Sequence, residues 1–535
     1  MRFQTIDWIV VGFYFLILLG ITWWSLKQKQ RSTAEYFLAS RHIGWFVIGA
    51  SIFASNIGAE HIVGLAGTAA KTGVVMGHYE LHAWLVLILG WVFVPFYMRS
   101  KVFTMPEFLE LRYSPKARWF LSLISLIGYV VTKVCVNVYA GAVVFQTLLG
   151  IDFWTGALFI LVFTGIYTVL GGMRAVVYTE ALQTIVLIMG SVIVTVGGLI
   201  KIGGWHNLYA VAGSDHFNLF LPANHPEFPW PGMVFAPPIV GLWYWCTDQY
   251  IVQRALAAKN ETQARRGSIF AACLKLLPFY IFILPGVMAF ALAKTGQLNL
   301  PSADRAFPTL VMMLIPTGLK GLVAGGLLAA LMSSLAAVFN SCSTLFTMDI
   351  YKKIRPQTPE KKLVLVGRIA TGVVVVSGVI WIPLMKVISG ELYHYLQSVQ
   401  AYIAPPIAAV FLLGIFYKRI NAKGAMTGLG GGFTVGMIRL IAELNKKHLS
   451  GWLHWFASVN FLYFCIMLFL ACIVVMIIVS LLTPKPSYEK IRGLTYATTV
   501  AADKAASRAS WNYRDVIFSL VVIAVVAFTL IYFTG

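Results

Sequence analysis

Four groups of polar residues interrupt otherwise apolar runs of this chain, and their side chains are suited to binding. The first is Ser55-Asn56-Ile57-Gly58-Ala59-Glu60-His61, followed by Gly64 and Gly67. A helix broken there frees backbone carbonyls and exposes a helix terminus, groups that hold ions and polar solutes at membrane depth. The alternative is a glycine-kinked helix with satisfied side chains. The second group is Tyr79-Glu80. Each oxygen of a carboxylate accepts hydrogen bonds, so Glu80 is a candidate acceptor for vicinal sugar-type hydroxyls, the alternative being a water-exposed interfacial glutamate.

The third group is Pro237-Pro238 followed by Trp243-Tyr244-Trp245-Cys246-Thr247-Asp248, with Lys275 in the next apolar run. The prolines remove backbone donors and are expected to break the helix, and the rings offer flat faces that stack on a sugar. An interfacial aromatic belt is the competing reading. The fourth group is Ala330-Leu331-Met332-Ser333-Ser334, then Asn340, Ser341, Ser343 and Thr344. Hydroxyls in a span often bond back to the preceding turn. Set against a broken helix, hydroxyl and carbonyl oxygens without an anionic cage suit a weakly bound, hard monovalent cation.

Nothing comparable points to catalysis: no metal-ligand cluster, nucleophile elbow or paired catalytic carboxylates are found. The six cysteines all lie in apolar runs without a CxxC pair, so neither a disulfide framework nor a zinc site is implied.

The elements that position these groups must be membrane spans. Of 535 residues, 59% are hydrophobic and 11% charged, and the mean hydropathy of +0.79 is far above that of a soluble protein. The lipid bilayer is therefore the first partner. Apolar windows of about 20 residues recur along the whole chain. Fourteen spans are expected, at 6–26, 44–70, 77–98, 118–148, 152–170, 176–200, 232–257, 269–294, 310–350, 363–387, 395–418, 422–442, 455–482 and 513–534. The first lacks a cleavage site after it and reads as a retained span.

The net charge of +21 is distributed as membrane orientation requires, so nucleic acid is excluded as its partner. Alternate loops hold 29 of the 41 Lys and Arg residues, whereas the opposite face holds eight: Arg2, Lys71, Lys201, Lys294, Arg305, Lys386, Lys446 and Lys447. Both termini are thereby expected outside, and the short outer loops fit a bacterial plasma membrane, the inner membrane. Lys133, Lys275, Lys320 and Arg439 fall in or near spans and need partners.

These residues resemble the solute:sodium symporter family, in its sodium/glucose cotransporter branch. The motifs are SNIGAEHIVGLAGT from Ser55, VFTMPEFLELRY from Val102, TVLGGMRAVVYTEALQT from Thr168, LWYWCTDQYIVQRALAAKN from Leu242, ALMSSLAAVFNSCSTLFTMDIY from Ala330 and APPIAAVFLLGIFYKRIN from Ala404. The resemblance implies an all-α polytopic fold with a five-plus-five inverted-repeat core. It divides the chain into an additional helix at 1–43, repeats at 44–200 and 232–418 around an outer loop at 201–231, and peripheral helices at 419–535.

It also implies sodium as the coupling ion, held by the carbonyls of Ala54, Ile57 and Ala330 and the hydroxyls of Ser333 and Ser334. The implied sugar ligands are Asn56, His61, Glu80, Lys275 and Gln397, with Tyr244 as an inner gate and Glu180 near the sodium exit, where the family often has Asp. Ala336 and Ala337 stand where two-sodium members carry hydroxyls, which implies one sodium per solute. Gly241 replaces an Asn of a bacterial relative, and Leu81-His82 replaces Trp-Asn of the animal sugar carriers. The expected function is sodium-coupled import of a hexose such as glucose or galactose. Inositol or another non-hexose solute, and a passive channel or sensor, are the alternatives.

Overall fold

Backbone polar groups find no water in a bilayer core and must bond within their own segment, so apolar windows of this length become helices. The computed structural model describes residues 4–28, 31–58, 60–385 and 392–535, with the side chains of 381–395 left aside. Ala59, Arg2, Lys29 and Lys386 lie outside the described residues. The chain is almost entirely helical, and the β-pairing among the described residues is limited to two isolated bridges, Ile43 with Ala258 and Asn218 with Thr534.

Eleven helices among the described residues are long and apolar enough to cross a membrane, so the expected count of fourteen is not reproduced. The difference arises where spans join or break. Phe153–Ile202 is a run of 50 residues made of two helices that meet at a kink. It contains two expected spans separated at Gly172, whose φ of 58° is left-handed. A Cβ at Gly172 would sit 2.8 Å from Tyr36 Cδ2, so both backbone and packing demand glycine.

The second expected span is broken. The Trp45–Asn56 helix stops at Ile57, whose backbone is extended at φ −80° and ψ 102°, and the chain resumes as a π-helical turn at Glu60–Leu65 before Ala66–Thr72. In the seventh, the expected break at Pro237-Pro238 is incorrect. The Trp230–Cys246 helix runs through both prolines and ends at Thr247. It packs against Leu392–Phe416 and Phe461–Leu482, and a proline is tolerated in a span where neighbouring helices support it. The actual stop is made by Thr247, whose hydroxyl donates to the Trp243 carbonyl at 2.9 Å. Asp248 then caps the next helix, Gln249–Leu256, through the amide of Tyr250.

The broken Trp45–Asn56 helix lies at the centre, packed against Glu261–Lys275, Phe153–Ile202 and Leu319–Thr344. That arrangement sets the Ser55–His61 run beside both Lys275 and the Ser333-Ser334 pair. The first helix, Thr5–Leu26, is tied to Leu319–Thr344 by Asp7, which accepts from the amides of Gly318 at 2.6 Å and Gly321 at 3.1 Å.

Candidate solute and ion sites beside the broken helix

One cavity is lined by Asn56, His61, Glu80, Tyr244, Lys275 and Gln397, six residues drawn from five separate stretches of chain. Glu60, Tyr79, His82, Trp245 and Gln400 complete much of its wall. Lys275 Nζ donates to Glu80 Oε2 at 2.6 Å and to Asn56 Oδ1 at 2.9 Å. Asn56 Nδ2 in turn donates to the Tyr244 hydroxyl at 3.3 Å, and His61 Nε2 lies 3.4 Å from Glu80 Oε1. Glu80 is 1% exposed, so it is a buried, paired carboxylate and not an interfacial one. Its ion pair answers the question posed by Lys275, because a buried charge is tolerable only when paired and hydrogen-bonded.

Lys133 has a parallel explanation. Its Nζ lies 2.7 Å from Asp248 Oδ2, and the Tyr129 hydroxyl bonds to the other oxygen of the same carboxylate. The ammonium also sits 3.8 Å from the centre of the Tyr250 ring and 4.6 Å from that of Tyr244, within range of a cation–π attraction. The aromatic residues therefore form a floor around the Lys133–Asp248 pair, joined to the Glu80–Lys275 pair through Tyr244 and Asn56.

The oxygen-rich group lies where the broken helix meets Leu319–Thr344. Ser333 Oγ is 2.9 Å from the Ala54 carbonyl and 2.8 Å from that of Ala330, and Ser334 Oγ is 3.1 Å from the Ser55 carbonyl. Ile57 is the residue at which the helix ends. Gly58 adjoins the group, and a Cβ there would stand 2.7 Å from Ser334 Oγ and from Asn137 Oδ1. Carbonyls and hydroxyls of this kind are hard ligands without net charge.

Glu180 adjoins this group. Its carboxylate accepts from Ser55 Oγ at 3.0 Å and from Ser51 Oγ, and pairs with Arg254 at 2.9 Å, both partners being fully buried. The Tyr250 hydroxyl bonds to the same Ser55 carbonyl that faces Ser334, linking the oxygen group to the aromatic floor. Sequence reasoning did not assign roles to Glu60, His82, Ser55, Tyr250, Asp248 and Arg254. Asp248, Tyr250 and Arg254 lie within the quoted LWYWCTDQYIVQRALAAKN motif and Ser55 opens SNIGAEH, so the local signal existed without a partner to interpret it.

The model of the sodium:solute symporter family matches residues 36–432, most of the chain and every residue of the two groups just described. The chain belongs to that family. Among its relatives is sodium/glucose cotransporter 1 of Oryctolagus cuniculus, 40% identical over alignments covering 90% of this chain and 80% of the relative. Sodium/myo-inositol cotransporter 2 of the same organism is also 40% identical, covering 92% of this chain and 79% of the relative. A Na+-coupled sialic acid symporter, solved in a substrate-bound outward-open state, shares the fold with a TM-score of 0.78 at 22% identity, covering 91% of this chain and 99% of the other. This sodium:solute symporter is thus a multi-pass membrane protein that couples a solute to sodium, and these relatives are transporters rather than enzymes.

Proposed function

We propose that this symporter imports an uncharged, polyhydroxylated solute, a hexose such as glucose or galactose, with one sodium ion per cycle. The observation that carries this reading is the convergence of Asn56, His61, Glu80, Tyr244, Lys275 and Gln397 on one cavity. Charged and amide groups at that density suit a ligand with many hydroxyls, each of which both donates and accepts. Tyr244 and Trp245, with ring centres 5.0 Å apart at a near-perpendicular angle, supply the flat apolar surface on which a ring can rest.

Sodium is assigned to the carbonyls of Ala54, Ile57 and Ala330 and the hydroxyls of Ser333 and Ser334. These oxygens come from the broken helix and from Leu319–Thr344, so an ion bound by both holds the two helices together. The break at Ile57 belongs to the wall of the solute cavity through Asn56 and His61, and ion binding orders that wall. Sodium then favours the outward-facing state, the solute binds, and both leave inward after the bundle rocks. Glu180, adjoining the oxygen group, lies on the sodium exit route.

The repeats are assigned to 44–200 and 232–418, with 1–43 and 419–535 peripheral. The breaks at Ile57 and Thr247 fall on the opening helices of the two segments, as a pair of discontinuous helices at a central site requires. The basic-loop asymmetry supports termini outside a plasma membrane, the bacterial inner membrane. One charge crossing 100 mV supplies about 2.3 kcal/mol and a tenfold sodium gradient about 1.4 kcal/mol, enough for a few-hundredfold accumulation.

The equal identity to a sodium/myo-inositol cotransporter favours inositol as the second reading. Uptake of labelled glucose, galactose and myo-inositol into proteoliposomes, with and without sodium, tests both. Hexose uptake dependent on sodium supports the proposal, preference for inositol replaces the substrate, and uptake indifferent to sodium would indicate a channel.

A further inference from the structure

Three polar atoms on the cavity wall are buried without a hydrogen-bond partner among the described residues: Glu60 Oε2, His82 Nε2 and Gln397 Oε1. A folded chain pairs nearly all its buried polar atoms, and a cluster of exceptions on one cavity marks bonds that a ligand completes. Resting on the reading of an uncharged polyhydroxylated solute, we propose that His82 and Glu60 are direct solute ligands, and that His82 determines which arrangement of hydroxyls is accepted.

His82 reaches the cavity because of the residue opposite. A Cβ on Gly241 would stand 2.5 Å from Leu85 Cδ1 and 2.6 Å from His82 Nδ1, closer than side-chain contacts allow, so the ring and Leu85 together occupy space that only glycine leaves open. The backbone of His82 is fixed as well, its carbonyl accepting from the amides of Leu85 at 2.8 Å and Val86 at 3.4 Å at the start of the Ala83–Ile88 helix. The Tyr79 ring packs at 5.9 Å from the imidazole. The ring thus seats against Gly241, and Nε2, buried without a partner among the described residues, is available to a hydroxyl as donor or acceptor according to tautomer.

Glu60 and Gln397 add acceptors, so the three together call for a ligand that donates at least twice. An uncharged sugar or cyclic polyol does so. A sugar acid instead brings a carboxylate against Glu60 in a cavity whose other carboxylate, Glu80, is already paired with Lys275. The wall therefore selects neutral rings and rejects acidic ones.

The test is sodium-driven uptake of labelled glucose, galactose, myo-inositol and glucuronate by wild type and by His82→Ala, His82→Gln, Gly241→Ala and Glu60→Gln in proteoliposomes. Loss of one good hydrogen bond raises KM about tenfold, and that rise is expected for His82→Ala with a changed order among the neutral solutes. His82→Gln restores most of the affinity. Gly241→Ala, by displacing the ring, gives the same rise, and the double variant is no worse than either single one. Glu60→Gln is expected to admit glucuronate. Sodium-dependent thermal stabilisation of each His82 variant shows that it is folded. A folded His82→Ala with unchanged KM values and unchanged solute order overturns the inference while leaving sodium-coupled polyol transport intact. A wild type that carries none of the neutral solutes overturns both.

Discussion

Lys275 and Glu80, 195 positions apart, meet at 2.6 Å in the interior of the helical assembly. The same relationship recurs three times: Lys133 with Asp248 at 2.7 Å, Arg254 with Glu180 at 2.9 Å, and Arg118 with Asp349 at 2.6 Å. In each case one partner lies in 44–200 and the other in 232–418. A buried pair constrains its partners strongly, because separating them leaves an uncompensated charge. Four such pairs across the two segments fix how they pack, and any rocking of one against the other must preserve or exchange these bonds.

Glu80→Gln should abolish detectable solute uptake, since it removes the proposed solute acceptor and strands the Lys275 ammonium. Breaking one partner of a buried pair costs about 3–5 kcal/mol, so a clear loss of thermal stability is also expected. Combining Glu80→Gln with Lys275→Met should recover part of that stability but none of the uptake. Thermal unfolding in detergent and vesicle uptake measure the two effects separately.

Ser333→Ala and Ser334→Ala should each raise the sodium concentration for half-maximal uptake about tenfold, the value of one lost oxygen contact near 1.4 kcal/mol. At saturating sodium the solute KM should return close to that of wild type. Sodium titrations of initial uptake rate check this.

Gly58→Ala should weaken sodium more than either serine variant. The new Cβ would lie 2.7 Å from both Ser334 Oγ and Asn137 Oδ1 and closer still to Glu60 Oε2, so the Ser334 hydroxyl must shift. The same titration, with expression and thermal stability as controls, reads the effect.

Asp248→Asn should be more damaging than Asp248→Asn combined with Lys133→Met. The single change leaves a buried ammonium against the Tyr250 ring, whereas the double change removes both charges. The coupling is read from thermal stabilities of the four members of the cycle.

The sequence pattern marks the polar interruptions well, because a Glu, Lys or Ser-Ser pair within an apolar window is conspicuous wherever it falls. The Ser55–His61 break was legible for that reason: one glycine and four polar side chains compete with helix continuation over a few residues. The stop in the seventh span was not. Prolines are the strongest local signal for a break, yet packing against two neighbouring helices carries the Trp230–Cys246 helix through them, and Thr247 and Asp248 end it by hydrogen bonding.

Partner identity is the other part that local pattern does not contain. Lys133 and Lys275 announced a need for carboxylates, but their partners lie 115 and 195 positions away, and only the packing of helices selects them. His82 and Gly241 each stand out in sequence as a departure from the family pattern, but that the ring fills the space left by the glycine is visible only in the packing. The span count differs because two expected spans meet at the Gly172 kink within one helical run, and because the Trp45–Asn56 and Trp230–Cys246 helices are shorter than the eleven.

The most direct test is the ratio of sodium to solute entering proteoliposomes under an imposed sodium gradient, with the charge moved measured in parallel. The account predicts accumulation of a labelled hexose that vanishes without sodium, a sodium Hill coefficient of about one, and one positive charge per solute. Uptake that persists unchanged when sodium is replaced, or that stops at equal concentrations inside and out, would contradict it.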